Sequence, residues 1–333
     1  MKKVLSLILA LAMVFALAAC GEKQPSNDGN TDGDKPAHGN VIMTFGTADT
    51  GGSMYPAGAA VSQVWTNNVQ GVKCNTQTST GSFQNCQDVS TGEVDVAVAT
   101  SDVVLNAYNG TGKFADIGKL DNLRVIGAVY TSVLSGVALK SSGLTYIHEL
   151  LGKRVAVGPA ASATENATLA AFGAMGIDSS NTSLENLGLG DGADSVGDGI
   201  LDAAFGFAGL PIGGQLNLAA TKEIQVLDMT QEEIDKVLAG NAAYIQTKIP
   251  AGTYTGQDND ANTFGVKCLI IVTADMDADL VYDLCKAMNE HTEELAAGNA
   301  LLKDMTDPSF LCTQMPIPLH DGAQKYYSEQ GLI

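Results

Sequence analysis

The chain has 333 residues, of which 45% are hydrophobic, enough to bury cores for about two domains of ordinary size. Acidic residues number 37 against 18 basic ones, and the net charge is −19. This balance excludes nucleic acid as a partner, because phosphate binding needs concentrated Lys and Arg. It also disfavours docking of the folded part on an anionic lipid surface.

Lys2 and Lys3 precede an apolar run over residues 4–17, followed by Leu17-Ala18-Ala19-Cys20-Gly21. A basic start, a short apolar core and small residues before a cut site make a secretory signal. Small residues ending in Cys resemble the lipobox of bacterial lipoproteins. That resemblance implies a signal peptide over 1–19, cleavage before Cys20, a lipid on Cys20 and an extracytoplasmic location on the cell membrane. Residues 20–40 lack apolar periodicity and are rich in Gly, Asn, Asp, Pro and Lys. They bury too little to offset the entropy of ordering and read as a flexible tether. Beyond the signal, no apolar run approaches the roughly 18 residues that a spanning helix requires.

Residues 41–333 alternate strand-like and helix-like segments. Strands are expected over 41–46, 72–78, 94–99, 124–130 and 135–139, and helices over 56–67, 82–91 and 102–108. Val61, Val64 and Trp65 form an apolar stripe, which makes Trp65 a core residue. The pattern resumes with strands over 154–157, 200–205, 224–227 and 266–273, and helices over 164–175, 280–295 and 322–329. Such alternation implies parallel sheets covered on both faces. Gly92-Glu93-Val94-Asp95-Val96-Ala97 echoes Gly199-Ile200-Leu201-Asp202-Ala203-Ala204, as two similar α/β units would.

Five cysteines remain beside Cys20: Cys74, Cys86, Cys268, Cys285 and Cys312. Cys74 and Cys86 are closest in sequence, but spacing alone does not establish a bridge, and buried free thiols are the simpler reading. The histidines 38, 148, 291 and 320 form no metal-ligand spacing. No nucleophile elbow stands at a strand end, so no catalytic residue, metal or cofactor is expected.

In open α/β sheets, ligands sit beyond the carboxyl ends of the strands. Four loops there lead into helices: 46–56, 78–85, 100–102 and 158–165. They offer glycines, hydroxyls and free helix N–H groups, which favour an anion. Ser162 with Glu165 also fits a capping box, and Thr80, Ser82 and Ser101 also fit ordinary N-caps.

Across the folded part, the motifs resemble the solute receptors of TRAP transporters of the TAXI type. The matching pieces include Gly46-Thr47, Thr50-Gly51-Gly52, Tyr55-Pro56, Thr80-Gly81-Ser82 with Asn85, and Ser101-Asp102-Val103. They continue with residues 151–159, Asp198-Gly199, 249–254 and Leu319-His320, in the family order to the end of the chain. The resemblance implies an α/β fold of the periplasmic-binding-protein type II kind. Two α/β lobes, about 41–132 plus 263–333 and about 133–262, would be joined by crossover strands with a ligand cleft between them. It implies capture of a small carboxylate or amino acid and delivery to a TRAP membrane permease driven by an ion gradient. Carried over residue by residue, the pocket positions are Thr47, Tyr55, Thr80, Gly81, Ser82, Asn85, Ser101 and Asp102, with Ser162 and Thr164 from the second lobe. The chain departs from the family in reading Ala161-Ser162-Ala163-Thr164 where Gly-Ser-Gly-Thr is usual, and Met54 where an aromatic is frequent.

The only arginines, Arg124 and Arg154, stand at strand starts, away from the expected cleft, so an arginine clamp on a carboxylate is not expected. Helix ends and hydroxyls would hold an anion, and Asp102 could hold an amine, which together suit a glutamate-like solute. The binding component of an ATP-driven importer and a sensor for a membrane kinase share the fold class and remain open at this stage.

Overall fold

The computed structural model describes residues 38–50 and 52–333. The expected signal peptide, Cys20 and residues 21–37 of the tether lie outside the described residues.

The first sheet half is built from β1 (Val41–Gly46), α1 (Met54–Asn68), β2 (Val72–Gln77), α2 (Ser82–Thr91), β3 (Val96–Thr100) and α3 (Ser101–Asn109). A long strand, β4 (Leu123–Leu139), then leaves it. The second half contains β5 (Arg154–Ala156), α4 (Ala163–Ala174), β6 (Ser183–Glu185), α5 (Leu189–Gly197), β7 (Ala203–Ala208), α6 (Gly213–Thr221), β8 (Ile224–Val226), α7 (Gln231–Gly240) and β9 (Ile245–Ile249). The second long strand, β10 (Ala261–Thr273), returns to the first half. There the chain ends with α8 (Ala278–Glu290), α9 (Thr292–Gly298), α10 (Pro308–Cys312) and α11 (Asp321–Glu329).

The strand order is β2-β1-β3-β10-β4-β7-β5-β6, with β8 on β4 and β9 on β10. Residues 268–271 of β10 pair with β3, whereas Ala261–Gly265 pair with β9. On β4, residues 133–137 pair with β7. Both long strands therefore belong to both lobes. Where they cross, Gly265 lies so close to β4 that a Cβ would stand 2.5 Å from the Ser132 carbonyl, so only glycine fits.

Each half buries an apolar layer on either face of its sheet, which follows from the two-residue period of a strand. Val96, Val98, Ile126 and Ile270 face one layer with Trp65 and Phe45, while Ala97, Ala99, Val125 and Leu269 face the other with Phe114. Leu134, Phe205 and Phe172 share one layer of the second half, and Val133, Ala204 and Tyr254 the other. Trp65 is fully buried, stacks on Phe45 at 5.5 Å and donates to the Leu284 carbonyl at 3.0 Å, as a core residue should.

Several boundaries differ from the sequence expectation. Residues 124–139 form one strand, because the chain runs straight across both lobes. The expected helix 280–295 breaks at His291 into α8 and α9. The strand expected over 200–205 is β7, three residues further on. Helices α5, α6 and α7 and strand β9 were not expected.

The internal echo has a structural counterpart. Gly92 and Gly199 both end a helical turn with positive φ, at 77° and 71°. Asp95 then accepts the Thr44 N–H of β1 at 2.7 Å, and Asp202 accepts the Arg154 N–H of β5 at 2.8 Å. In both halves the Asp ties the start of its strand to the neighbouring parallel strand.

Candidate ligand-binding cleft

A cavity of about 100 Å³ lies where loops of the two halves meet. The first half contributes Ala48, Asp49, Gly52, Ser53 and Met54 from the loop after β1, and Thr80, Gly81 and Ser82 from the loop after β2. The second half contributes Pro159, Ser162, Ala163 and Thr164 from the loop after β5, with Phe207 and Ala208 at the carboxyl end of β7 and Leu189 at the start of α5. Tyr130, on crossover strand β4, also lines it.

Four helices begin at this space: α1, α2, α4 and, through Leu189, α5. The N-caps of α1 and α2 are Ser53 and Gly81, and neither provides a side-chain cap. First-turn N–H groups have no partner within their own helix, and the aligned backbone dipoles add positive potential. Gly81 reaches the α2 start with φ 113°, a conformation that favours glycine. The third helix, α4, is capped by Ser162, whose Oγ accepts the Glu165 N–H at 3.1 Å.

Three of the cavity hydroxyls, on Ser82, Ser162 and Thr164, are tied as acceptors. Thr164 Oγ1 accepts the Phe207 N–H at 3.1 Å, and Ser82 Oγ accepts the Thr100 N–H at 3.1 Å. A hydroxyl also has one O–H to give. Ser82, Ser162 and Thr164 therefore keep a donor for a guest while their oxygens are held in place. Thr80 is committed differently, since both its N–H and its Oγ1 donate to Gln84 Oε1, at 2.9 and 3.0 Å.

Five of the positions carried over by resemblance line the cavity: Thr80, Gly81, Ser82, Ser162 and Thr164. Thr47, Tyr55, Asn85, Ser101 and Asp102 are not among its lining residues. Thr47 and Asn85 are fully buried behind it. The Thr47 carbonyl accepts from Asn85 Nδ2 at 2.6 Å and from Ser79 Oγ at 2.8 Å, and Asn85 Nδ2 also donates to the Val98 carbonyl at 2.7 Å. These bonds lock the first two cleft loops to each other and to β3. Asp102, also fully buried, accepts from Asn166 Nδ2 at 2.8 Å and from the Tyr244 hydroxyl at 3.2 Å, both in the second half. Burial raises its pKa from the ordinary carboxylate value, against hydrogen bonds that include those from Asn166 and Tyr244. The acid in the cavity wall is Asp49, which is exposed.

Sequence reasoning missed Tyr130, Leu189, Phe207 and Ala208. The rule that ligands sit beyond strand ends finds Phe207 and Ala208 once β7 is placed correctly. Neither arginine lines the cavity. Arg124 donates to the Asp121 and Leu123 carbonyls, and Arg154 pairs with Asp202 at 3.0 Å. Among the described residues, no group of three or more His, Cys, Asp and Glu is placed to hold a metal ion. No helix among them is long and apolar enough to cross a membrane.

The sequence profile of the NMT1-like family matches residues 45–331. The chain belongs to the NMT1-like family. A solved structure of a protein from Bordetella bronchiseptica RB50 superposes on this NMT1-like protein with a TM-score of 0.50, at 12% identity, over 88% of this chain and 98% of that one. The alkanesulfonate-binding protein SsuA from Xanthomonas axonopodis pv. citri, bound to MOPS, gives a TM-score of 0.48 at 13% identity over 86% and 83% of the two chains. The amino acid ABC transporter substrate-binding protein AbpA from Streptococcus pneumoniae, bound to L-arginine, gives 0.46 at 14% identity over 81% and 96%. The NMT1-like chain has the type II periplasmic-binding-protein fold, with two α/β lobes, two crossover strands and a cleft between the lobes.

Proposed function

We propose that this protein is an extracytoplasmic, non-enzymatic receptor that captures a small amino acid or carboxylate and presents it to a TRAP-type membrane permease. The observation that carries this reading is the cavity between the lobes. Two uncapped helix N-termini and the O–H groups of Ser82, Ser162 and Thr164 face it, and its wall holds neither Lys nor Arg. Oriented N–H and O–H donors suit an oxygen-rich anionic group, and helix ends supply attraction where no cation does. A volume of about 100 Å³ is well below the roughly 300 Å³ at which drug-sized pockets begin, so it suits a solute of few atoms. Asp49 places one acid in the same wall, which an ammonium group would meet. A glutamate-like amino acid uses both the donors and the acid. The motif order from residue 41 to the end supports the TRAP assignment, and the signal with Cys20 supports lipid anchoring after residue 19. The lobes are taken as about 41–132 plus 263–333 and about 133–262.

The test is a thermal-shift screen of the purified protein with amino acids and carboxylates, followed by calorimetry. A ligand at a hundred times its dissociation constant stabilises by about 2.7 kcal/mol. L-Glutamate should raise the melting point. Asp49→Asn should weaken L-glutamate but leave 2-oxoglutarate, which has no amine, unchanged. Absence of a shift with every amino acid and carboxylate would overturn the reading. Tighter binding of 2-oxoglutarate than of L-glutamate would overturn the amine assignment.

A further inference from the structure

The lobes are joined by polar links that do not line the cavity. From the first lobe, Asp102 in α3 and Lys113 in the short turn Gly112–Phe114 reach across. From the second lobe, Asn166 gives its Nδ2 to Asp102 Oδ2 at 2.8 Å, Tyr244 gives its hydroxyl to the same oxygen at 3.2 Å, and Glu165 pairs with Lys113. Glu165 and Asn166 directly follow Thr164, which lines the cavity, in the first turn of α4. Glu165 also accepts the Ala161 N–H at 2.8 Å and Asn186 Nδ2 at 3.0 Å, so it ties the loop that carries Ser162 to both lobes.

We propose that Asp102, Lys113, Glu165 and Asn166 form a closure latch that sets solute affinity without touching the solute. This rests on the receptor reading above. Two opposing effects act on the latch. Its hydrogen bonds favour the closed arrangement. Against them, the Asp102 carboxyl is fully buried, a cost that opening to water removes. A latch near balance stays reversible, so that solute contacts decide whether the lobes close. The four residues act as positioning residues: when the closed fraction falls, apparent affinity falls by the same factor.

Two variants of the purified protein test this. Asn166→Ala removes one bond from the buried carboxylate. Lys113→Glu, at a partly exposed side chain, sets like charges against each other across the cleft. Small-angle X-ray scattering without solute should show a larger radius of gyration for both than for the parent. L-Glutamate, used as the probe, should bind about tenfold more weakly to Asn166→Ala. Lys113→Arg should restore parental values in both measurements. Unchanged radii of gyration in both variants would overturn the latch, and so would open variants that bind L-glutamate as tightly as the parent. If Asn166→Ala does not fold, Lys113→Glu decides alone. If the parent does not bind L-glutamate, the solute assignment fails, while the scattering still judges the latch.

Discussion

Gly158→Ala is the sharpest test of how the second-lobe loop shapes the cleft. Gly158 follows β5 with φ 97°, where an L side chain is strained by about 1–2 kcal/mol. An added Cβ would stand 2.5 Å from Thr164 Cγ2 and 2.6 Å from Thr164 Cβ, far inside the ~3.5–4.0 Å of good carbon contacts. Thr164 is β-branched, lies in the first turn of α4 and is held by the Phe207 N–H at 3.1 Å. It cannot turn aside without giving up that bond, worth about 1 kcal/mol, and overpacking of this kind costs about 1–3 kcal/mol more. The sum is about 3–6 kcal/mol, against a typical domain stability of about 5–15 kcal/mol. The variant should therefore fold but melt about 10 °C below the parent, at the roughly 2–4 °C per kcal/mol expected for large domains. It should also bind solute less tightly, because Thr164 lines the cavity. Circular dichroism melts and calorimetry measure both. A melting point within about 2 °C of the parent, with parental affinity, would refute the packing argument.

Ala161 has φ 60°, so Ala161→Gly should relieve left-handed strain. After subtracting the extra freedom of glycine in the unfolded chain, the gain is about 0.5 kcal/mol, read from the urea midpoint. Cys74, Cys86, Cys268, Cys285 and Cys312 are free and buried. Burial pushes the Cys74 and Cys268 thiols up to about 11, so a chromogenic disulfide reagent should leave all five unreacted until the protein is unfolded. Asp102 gives a pH signature. Its folded pKa is raised, so at pH values between its unfolded and folded pKa the native state binds more protons than the unfolded state. Stability from this group therefore rises as pH falls through that window. Relative to Asp102→Asn, the parent should gain stability as pH drops from 7 towards 4 in paired denaturant titrations. A constant or opposite difference would contradict the raised pKa of the buried Asp102 carboxyl.

The buried strands and most cleft loops were legible because apolar runs and strand-to-helix glycines are local signals. The helices that escaped notice fail for a physical reason. Residues 189–197 and 213–221 carry Gly190, Gly192, Gly213 and Gly214, which read as loop by propensity. In the fold, a Cβ on Gly192 would stand 3.0 Å from the Ala156 side chain, and one on Gly214 2.7 Å from the Leu189 carbonyl. Close packing of α5 on the sheet and α6 on α5 requires those glycines, and packing outweighs propensity there. Helix α7 had a local signal that went unread, the Thr230 to Glu233 capping box, in which the Thr230 N–H donates to Glu233 Oε2 at 2.7 Å. The structure assigns Thr47, Asn85 and Asp102 to framework contacts rather than to the cavity wall. A motif residue that orients a loop and one that lines the cavity are equally specified by sequence, and only the fold separates them.

One short stretch carries both halves of the proposed mechanism. Ser162 and Thr164 line the cavity, while Glu165 and Asn166 hold the opposite lobe. Both pairs sit on the first turn of α4, which the Ser162 cap and the Glu165 bond to Ala161 fix as a unit. In the proposal, a solute that engages Thr164 also favours the Asn166 bond to Asp102, because the two residues share one capped turn. The proposed binding and closure would then be coupled through this turn alone. Substitutions on this turn should change affinity and interlobe opening together.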